Sequence, residues 1–277
     1  MKIKATVLCE NCVFHKVGAI AEHGWAVYVE TEHGDFLFDT GQGEGIINNA
    51  QYFGKDLKAI KAIIISHHHV DHTGGLLAVL NHTAKIKVYT HPEIFKPSYN
   101  IRDKTERYIG IPYCCEILES RGAEFIFNTN FTEIKPGIII TGEIPRRTSF
   151  EKGEGKQVLK TSNGYVKDNI NDDQALILNT TNNGLFIILG CSHSGIINTI
   201  NYAIEITGQK HIHTIIGGTH LGPATEETRE KSIQALKQFD IERIGVSHCT
   251  GLEVSSRLLQ EFGERFFFCN VGTVVGV

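Results

Sequence analysis

The sequence predicts an α+β chain folded as a four-layer αβ/βα sandwich, two sheets packed face to face with helices outside. Three observations predict it: strand signals dominate the first third, they return in the middle, and the last third alternates helix with strand. Each half therefore supplies one sheet and the helices to cover it. No repeat, low-complexity tract or Pro/Ser-rich linker interrupts the 277 residues, so 1–277 is read as a single domain.

In chain order, "IKATVL", "WAVYVET" and "FLFDTG" read as strands, with His33-Gly34 as a hairpin turn between the last two. After Gly41 a short helical stretch leads to "AIKAIIIS", the near-continuous apolar run of a strand buried on both faces. From His72 the spacing of Leu76, Leu77, Val79 and Leu80 predicts a helix, and the strand "IKVYT" follows. Residues 97–122 read as helical and irregular, a cover for one side of a site. Strands then recur at "AEFIFN", "GIIIT", "QALILNT" and "GLFIILG". The tail gives helix 195–207, strand "HTIIGG", helix 225–238, strand "IERIGVS", helix 252–262 and strand "RFFFC".

Composition narrows the function. With 41% hydrophobic and 21% charged residues the chain is an ordinary globular protein, and a formal charge of −4 leaves no basic excess to capture nucleic acid. The longest apolar runs, such as "LFIIL", are far shorter than a membrane span, and "MKIKATVLCENC" lacks the apolar core and cleavage site of a secretory signal. The expectation is a cytoplasmic protein with a small-molecule partner and neither nucleic acid nor membrane. Seven cysteines, an odd number, fit a reducing compartment rather than a disulfide framework. Cys9 and Cys12 form a CxxC, read either as two thiols near a strand end or as a zinc or redox pair.

The chemistry concentrates in "SHHHVDH", residues 66–72, at the C-terminal end of a buried strand. In extended chain, alternate residues face one way, so His67 and His69 converge on one cation while Asp71 and His72, at the turn into the next helix, face a second. Imidazole with carboxylate suits zinc, iron or manganese. Three more strand ends carry histidine before a Gly-rich turn: His193 in "GCSHSG", His220 in "GGTHLG" and His248 in "VSHCTG". Their shared context predicts one convergent site.

These motifs resemble the metallo-β-lactamase superfamily: "FDTG" with Asp39 matches its first motif, "HHHVDH" its second, and His248 at a late strand end its last. The resemblance spans nearly the whole chain and implies the αββα fold with, commonly, a dinuclear site. Carried over, His67 and His69 hold the first metal, Asp71, His72 and His248 the second, and Asp39 supports the histidine loop from behind. The family's bridging aspartate, in "GD", is missing, because the position reads Gly190-Cys191. His193 is taken to complete the first metal, Cys191 is an alternative thiolate ligand, and Glu143 in "TGEIPR" stands in weakly for an earlier histidine. His220 is assigned a proton-transfer, substrate-contact or ligand role, and Asp71 orients water as well as binding metal. The expected cofactor is one or two divalent cations, zinc first, with manganese, iron or magnesium as alternatives.

A wider set, "EHGWAVYVE", "FDTGQG", "TGEIPR", "NDDQALIL", "GCSHSGIINT", "GGTHL" and "SHCTG", is similar to one branch. That branch holds metal-dependent hydrolases of β-lactamase superfamily II and dihydropterin-ribofuranosylaminobenzene phosphate synthases. Residues expected to meet a phosphorylated or pterin-like substrate are His23, Arg146, Arg147, Asp172, Asp173 and Thr250. Three readings follow: a metal-dependent hydrolase of an ester or phosphoester, a synthase-like transferase, and a non-catalytic metal or redox protein.

Overall fold

The computed structural model describes residues 1–277 apart from 103, 104, 154, 155 and 181. One seven-stranded sheet is built from the first half of the chain and closed by the C-terminal strand Val274–Gly276, which pairs antiparallel with Ile3–Cys9. A second seven-stranded sheet comes from residues 132–268, with the parallel neighbours Gly184–Ile188, Ile212–Gly218 and Ile241–Ser247 at its centre. The predicted four layers are present.

Period-two alternation explains the layering. In the first sheet Phe36, Phe38, Ala62 and Ile64 face inward, where they meet Ile138, Leu176, Phe186 and Ile188 of the second sheet in the inter-sheet core. Their neighbours Leu37, Ile63 and Ile65 face outward and pack under the helices Gly45–Tyr52, Leu76–Leu80 and Cys115–Ser120. The second sheet repeats the plan: Ile187, Ile215 and Ile244 lie beneath the helices Ile196–Thr207, Glu226–Leu236 and Gly251–Phe262. Burial of both faces is what the near-continuous apolar strands required.

Residues 97–122 depart from expectation. Among its described residues only Cys115–Ser120 is α-helical, whereas Ser98–Arg102 and Thr105–Tyr108 form an antiparallel pair. They join Gln157–Thr161 and Gly164–Lys167 in a third, four-stranded sheet. The outer strands Thr105–Tyr108 and Gly164–Lys167 are exposed along their whole length, so neither carries the polar-apolar alternation that marks a half-buried strand. The second hairpin did leave a signal in Asn163-Gly164, a dipeptide typical of tight turns.

Candidate metal centre

The strand Ile60–Ile64 delivers its loop to the point where both sheets end, and nine ligand-type residues converge there. His67, His69 and His193 place ligand atoms within 4.8 Å of one another, and so do His67, His72 and Cys191. Two further groups, Cys191 with His248 and Cys249, and His23 with Asp71 and His248, adjoin them. His67 Nε2 and His69 Nδ1 stand 3.1 Å apart, close to the roughly 3.3–3.4 Å expected of two nitrogens sharing one tetrahedral zinc ion. Asp71 Oδ2 lies 3.0 Å from His248 Nε2 and 3.9 Å from His72 Nε2.

The hydrogen bonds behind these rings decide which nitrogen faces inward. Asp39 accepts from Ser66 N (2.6 Å), Ser66 Oγ (2.7 Å) and His72 Nδ1 (2.7 Å). The single Ser66 hydroxyl proton therefore goes to Asp39, so Ser66 Oγ accepts from His67 Nδ1 at 2.8 Å. Asn11 Oδ1 accepts from Gly24 N and from His248 Nδ1 (2.9 Å). His67, His72 and His248 each donate an Nδ1 proton to a different acceptor, which turns three Nε2 lone pairs into the centre. His193 Nε2 is buried with no hydrogen-bond partner among the described residues, and His69 turns Nδ1 toward His67 Nε2. Such a set fits a divalent cation: lone pairs converge, and no proton donor stands ready to satisfy them all.

Charge follows the same logic. Burial, with neighbouring histidines, holds His67 and His193 far below the usual imidazole range, and burial brings His69 to about 3 and His220 to about 4. All four are neutral near pH 7, the form that ligates metal. Burial alone would raise Asp71, but His72, His23 and His248 overrule it and keep the carboxyl well below its ordinary value. Burial and the adjacent Cys249 push the Cys191 thiol well up.

Backbone strain gathers here as well. Six described non-glycine residues have positive φ, and four of them, Asp39 (57°), Ser192 (58°), His220 (50°) and His248 (51°), belong to this centre. Left-handed backbone costs a non-glycine residue on the order of 1–3 kcal/mol and persists where surrounding structure enforces it, as at functional sites. At Gly190 a Cβ would stand 2.4 Å from Ser66 Oγ, so only glycine lets the two sheets' loops approach this closely.

A cavity of about 590 Å³ opens beside the centre, with His193, His220 and Ser192 in its wall and Lys152, Lys156 and Lys231 among its outer residues. None of the described residues in 97–122 lines it. His220 packs tilted against His193, ring centroids 4.1 Å apart, and so joins the centre to the cavity.

Several expected contacts are not made. Glu143 is half-exposed and pairs with His91 at 3.0 Å, away from the centre. Arg147 pairs with Glu205 on the surface, and Arg146 donates to the carbonyls of His193, Asn169 and Ile170, so these guanidiniums brace loops instead of facing the cavity. Thr250 is fully buried, its hydroxyl bonded to Thr219. His23 lies beside the centre, 3.3 Å from Asp71. Asp173 is buried and accepts from Ser194 N (2.8 Å).

One element went unread: His68, between the two ligand-type histidines, points the other way. Asp172 accepts from its backbone N (2.7 Å) and its Nδ1 (2.8 Å), and Asp168 lies 3.1 Å from its Nε2. Gln174 then bonds both Ser66 O and Ile65 O. "NDDQ" thus clamps the histidine loop through Asp172 and Gln174. Its 104-residue separation from His68 left no local signal.

Comparison with known proteins agrees with this geometry. The family model of the metallo-beta-lactamase superfamily matches residues 20–162. The 7,8-dihydropterin-6-methyl-4-(beta-D-ribofuranosyl)-aminobenzene-5'-phosphate synthase of Methanocaldococcus jannaschii is 31% identical, covering 99% of this chain and 96% of its own. The crystal structure of Tm1679, a metal-dependent hydrolase of the beta-lactamase superfamily, is similar over 99% of both chains with a TM-score of 0.85 and 28% identity. The fold protein YhfI from Bacillus subtilis, 12% identical with a TM-score of 0.61 over 100% of this chain and 99% of its own, shares the fold.

Proposed function

The chain belongs to the metallo-beta-lactamase superfamily, and from that premise we propose that it is a metal-dependent hydrolase of a small anionic ester or phosphoester. The observation that carries this reading is the convergence of His67, His69, His193, Asp71, His72 and His248 on one buried spot beside a cavity. His67, His69 and His193 would hold one cation; Asp71, His72 and His248 a second. When bound, a divalent cation polarises a substrate oxygen and lowers the pKa of water near it.

The chain's own residues do the rest. Asp71, ionised and held by His23 and His248, is placed to orient a water molecule by accepting its hydrogen bond. His220, neutral, carries no imidazolium proton to donate and is a weak base; it is suited to donate a hydrogen bond to substrate. Lys152 and Lys156 favour an anionic group in the cavity, where Lys231 is paired with Glu227 at 2.6 Å. Asp39 and Asn11 keep the ring tautomers correct throughout.

A second reading, transfer with a phosphorylated dihydropterin as substrate, is favoured by the full-length match to the M. jannaschii synthase. One experiment separates the two: zinc- or manganese-loaded protein incubated with a phosphoester and carboxylester panel, and in parallel with a dihydropterin diphosphate plus a ribofuranosylaminobenzene phosphate. Turnover in the panel that vanishes in His69→Ala supports hydrolysis. Carbon–nitrogen coupling with no panel turnover overturns it in favour of transfer.

A further inference from the structure

The cavity beside the centre is divided into three zones, and we infer from them that its substrate is bipartite: an aryl- or heteroaryl-sized apolar body joined to an anionic group that takes no part in the reaction. This rests on the cavity serving the metal centre. The inner zone is Ser192, His193 and His220, where the wall and the centre meet. The middle zone is apolar. Phe150 lines it from the segment 149–153, and Leu221, Pro223 and Ala224 line it from the turn before helix Glu226–Leu236.

Hydrogen bonds hold these walls in place. Thr228 Oγ1 donates to Phe150 O (3.0 Å), which ties one wall to the other. Asn198 Oδ1 accepts from Arg147 N and Thr148 N (both 2.9 Å), while Glu151 accepts from Ile197 N and Asn198 N in return. The segment carrying Phe150 is therefore lashed to the start of helix Ile196–Thr207, and the apolar zone is formed without a ligand.

The outer zone is cationic. Lys152 and Lys156 are exposed, and neither pairs with a carboxylate among the described residues. Of the described carboxylates in the wall, Glu227 is taken by Lys231 (2.6 Å) and Glu151 by the two backbone N–H groups, so none is left to repel an anion. Volume decides between a simple anion and a larger molecule. A cavity of about 590 Å³ falls within the range of about 300–1,000 Å³ that encloses drug-sized ligands, whereas inorganic phosphate or a short-chain ester would leave the apolar zone facing water. A bipartite substrate covers that zone and meets the two lysines at once. Its non-reacting parts then supply the binding energy that fixes the reacting bond beside His193 and His220.

The test is isothermal titration of the full chain, metal-free and zinc-loaded, with naphthalene-1-sulfonate and with its two halves, methanesulfonate and 1-naphthol. The whole probe is expected to bind both forms of the protein, and each half to bind at least about tenfold more weakly. Lys152→Gln with Lys156→Gln should weaken the whole probe about tenfold and flatten its salt dependence. Ala224→Trp, which fills the apolar zone, should abolish binding, and the control Lys210→Gln should leave it unchanged. No binding to either form overturns the inference, and so does methanesulfonate binding as tightly as the whole probe or a double variant that binds like wild type. Binding confined to zinc-loaded protein and lost in His69→Ala places the anion on the metal and overturns the remote site. Should a variant not fold, the comparison of whole probe and halves on wild type decides. Probe binding with no turnover in the ester and phosphoester panel overturns the hydrolase reading alone; turnover with no probe binding overturns this inference alone.

Discussion

On one face of the loop 66–72, His67 and His69 sit among other histidines and are held neutral; on the other face His68, one residue from each, sits between two carboxylates and is held charged up to about pH 10. Burial pushes all three the same way, toward neutrality. At His68 the carboxylates of Asp172 and Asp168 more than offset that push. The extended backbone sends alternate side chains to opposite faces, so one loop carries a ligand set and the ion pair that anchors it. The neutral lone pairs suit a cation, while the charged ring locks the loop to the third sheet through Asp168 and its Ser98 hydrogen bond (2.6 Å).

The largest effect tests the anchored face. Asp172→Ala leaves a buried imidazolium short of its partner and strips the acceptor from His68 N, a loss of about 3–5 kcal/mol, measured by urea unfolding of metal-free protein. The gap between wild type and variant should depend on pH. His68 is raised above its usual 6.5, so its contribution is complete below that value and fades as pH rises through about 10. Asp172 and Asp168 are lowered below 3.8, so theirs is present above that value and fades as pH falls. A gap that is widest from about pH 4 to 6.5 is expected, and a gap independent of pH would mean the pair is not ionised.

The ligand face should behave in the opposite way. His69→Ala removes a ring with an unpartnered Nε2, and the metal-free variant should unfold close to wild type. The difference appears with metal: at a hundredfold excess over Kd, a cation stabilises wild type by about 2.7 kcal/mol, and this increment should be absent in His69→Ala. Titration of thermal unfolding with zinc measures it, and an equal increment in the variant would remove His69 from the ligand set.

A smaller effect concerns how the second sheet presents His193. Glu151 accepts from Ile197 N (2.8 Å) and Asn198 N (2.9 Å) at the start of helix Ile196–Thr207, next to the turn that carries His193. Glu151→Ala should destabilise the protein by about 1–2 kcal/mol in chemical unfolding. Zinc affinity should fall with it, since His193 loses its support. The smallest effect is expected at Arg147→Ala, which breaks only an exposed ion pair with Glu205: melting temperature and turnover of anionic substrates should both match wild type. A rise in KM would return Arg147 to the substrate site.

The same contrast marks how far the sequence could be read. His67, His69, Asp71 and His72 share one loop, and His193 and His248 repeat one context, an apolar strand ending before a glycine turn; local pattern was sufficient to single out all six as candidates. The hairpins of the third sheet escaped because strands exposed on both faces have no hydrophobic period to display. Arg146 and Arg147 looked like a substrate clamp because a guanidinium suits phosphate, yet sequence does not say what else lies within its reach.

By itself, then, the sequence determined the four layers and the identity of the ligand-type residues, because strand periodicity and short loop spacings are local properties that survive in one dimension. Tertiary structure alone decided which ring nitrogen faces inward, which histidine carries a charge, and that Cys249 joins Cys191. Those depend on partners up to 237 residues away, as Asn11 is from His248, and a hydrogen bond across such a distance leaves no trace in the spacing of either residue.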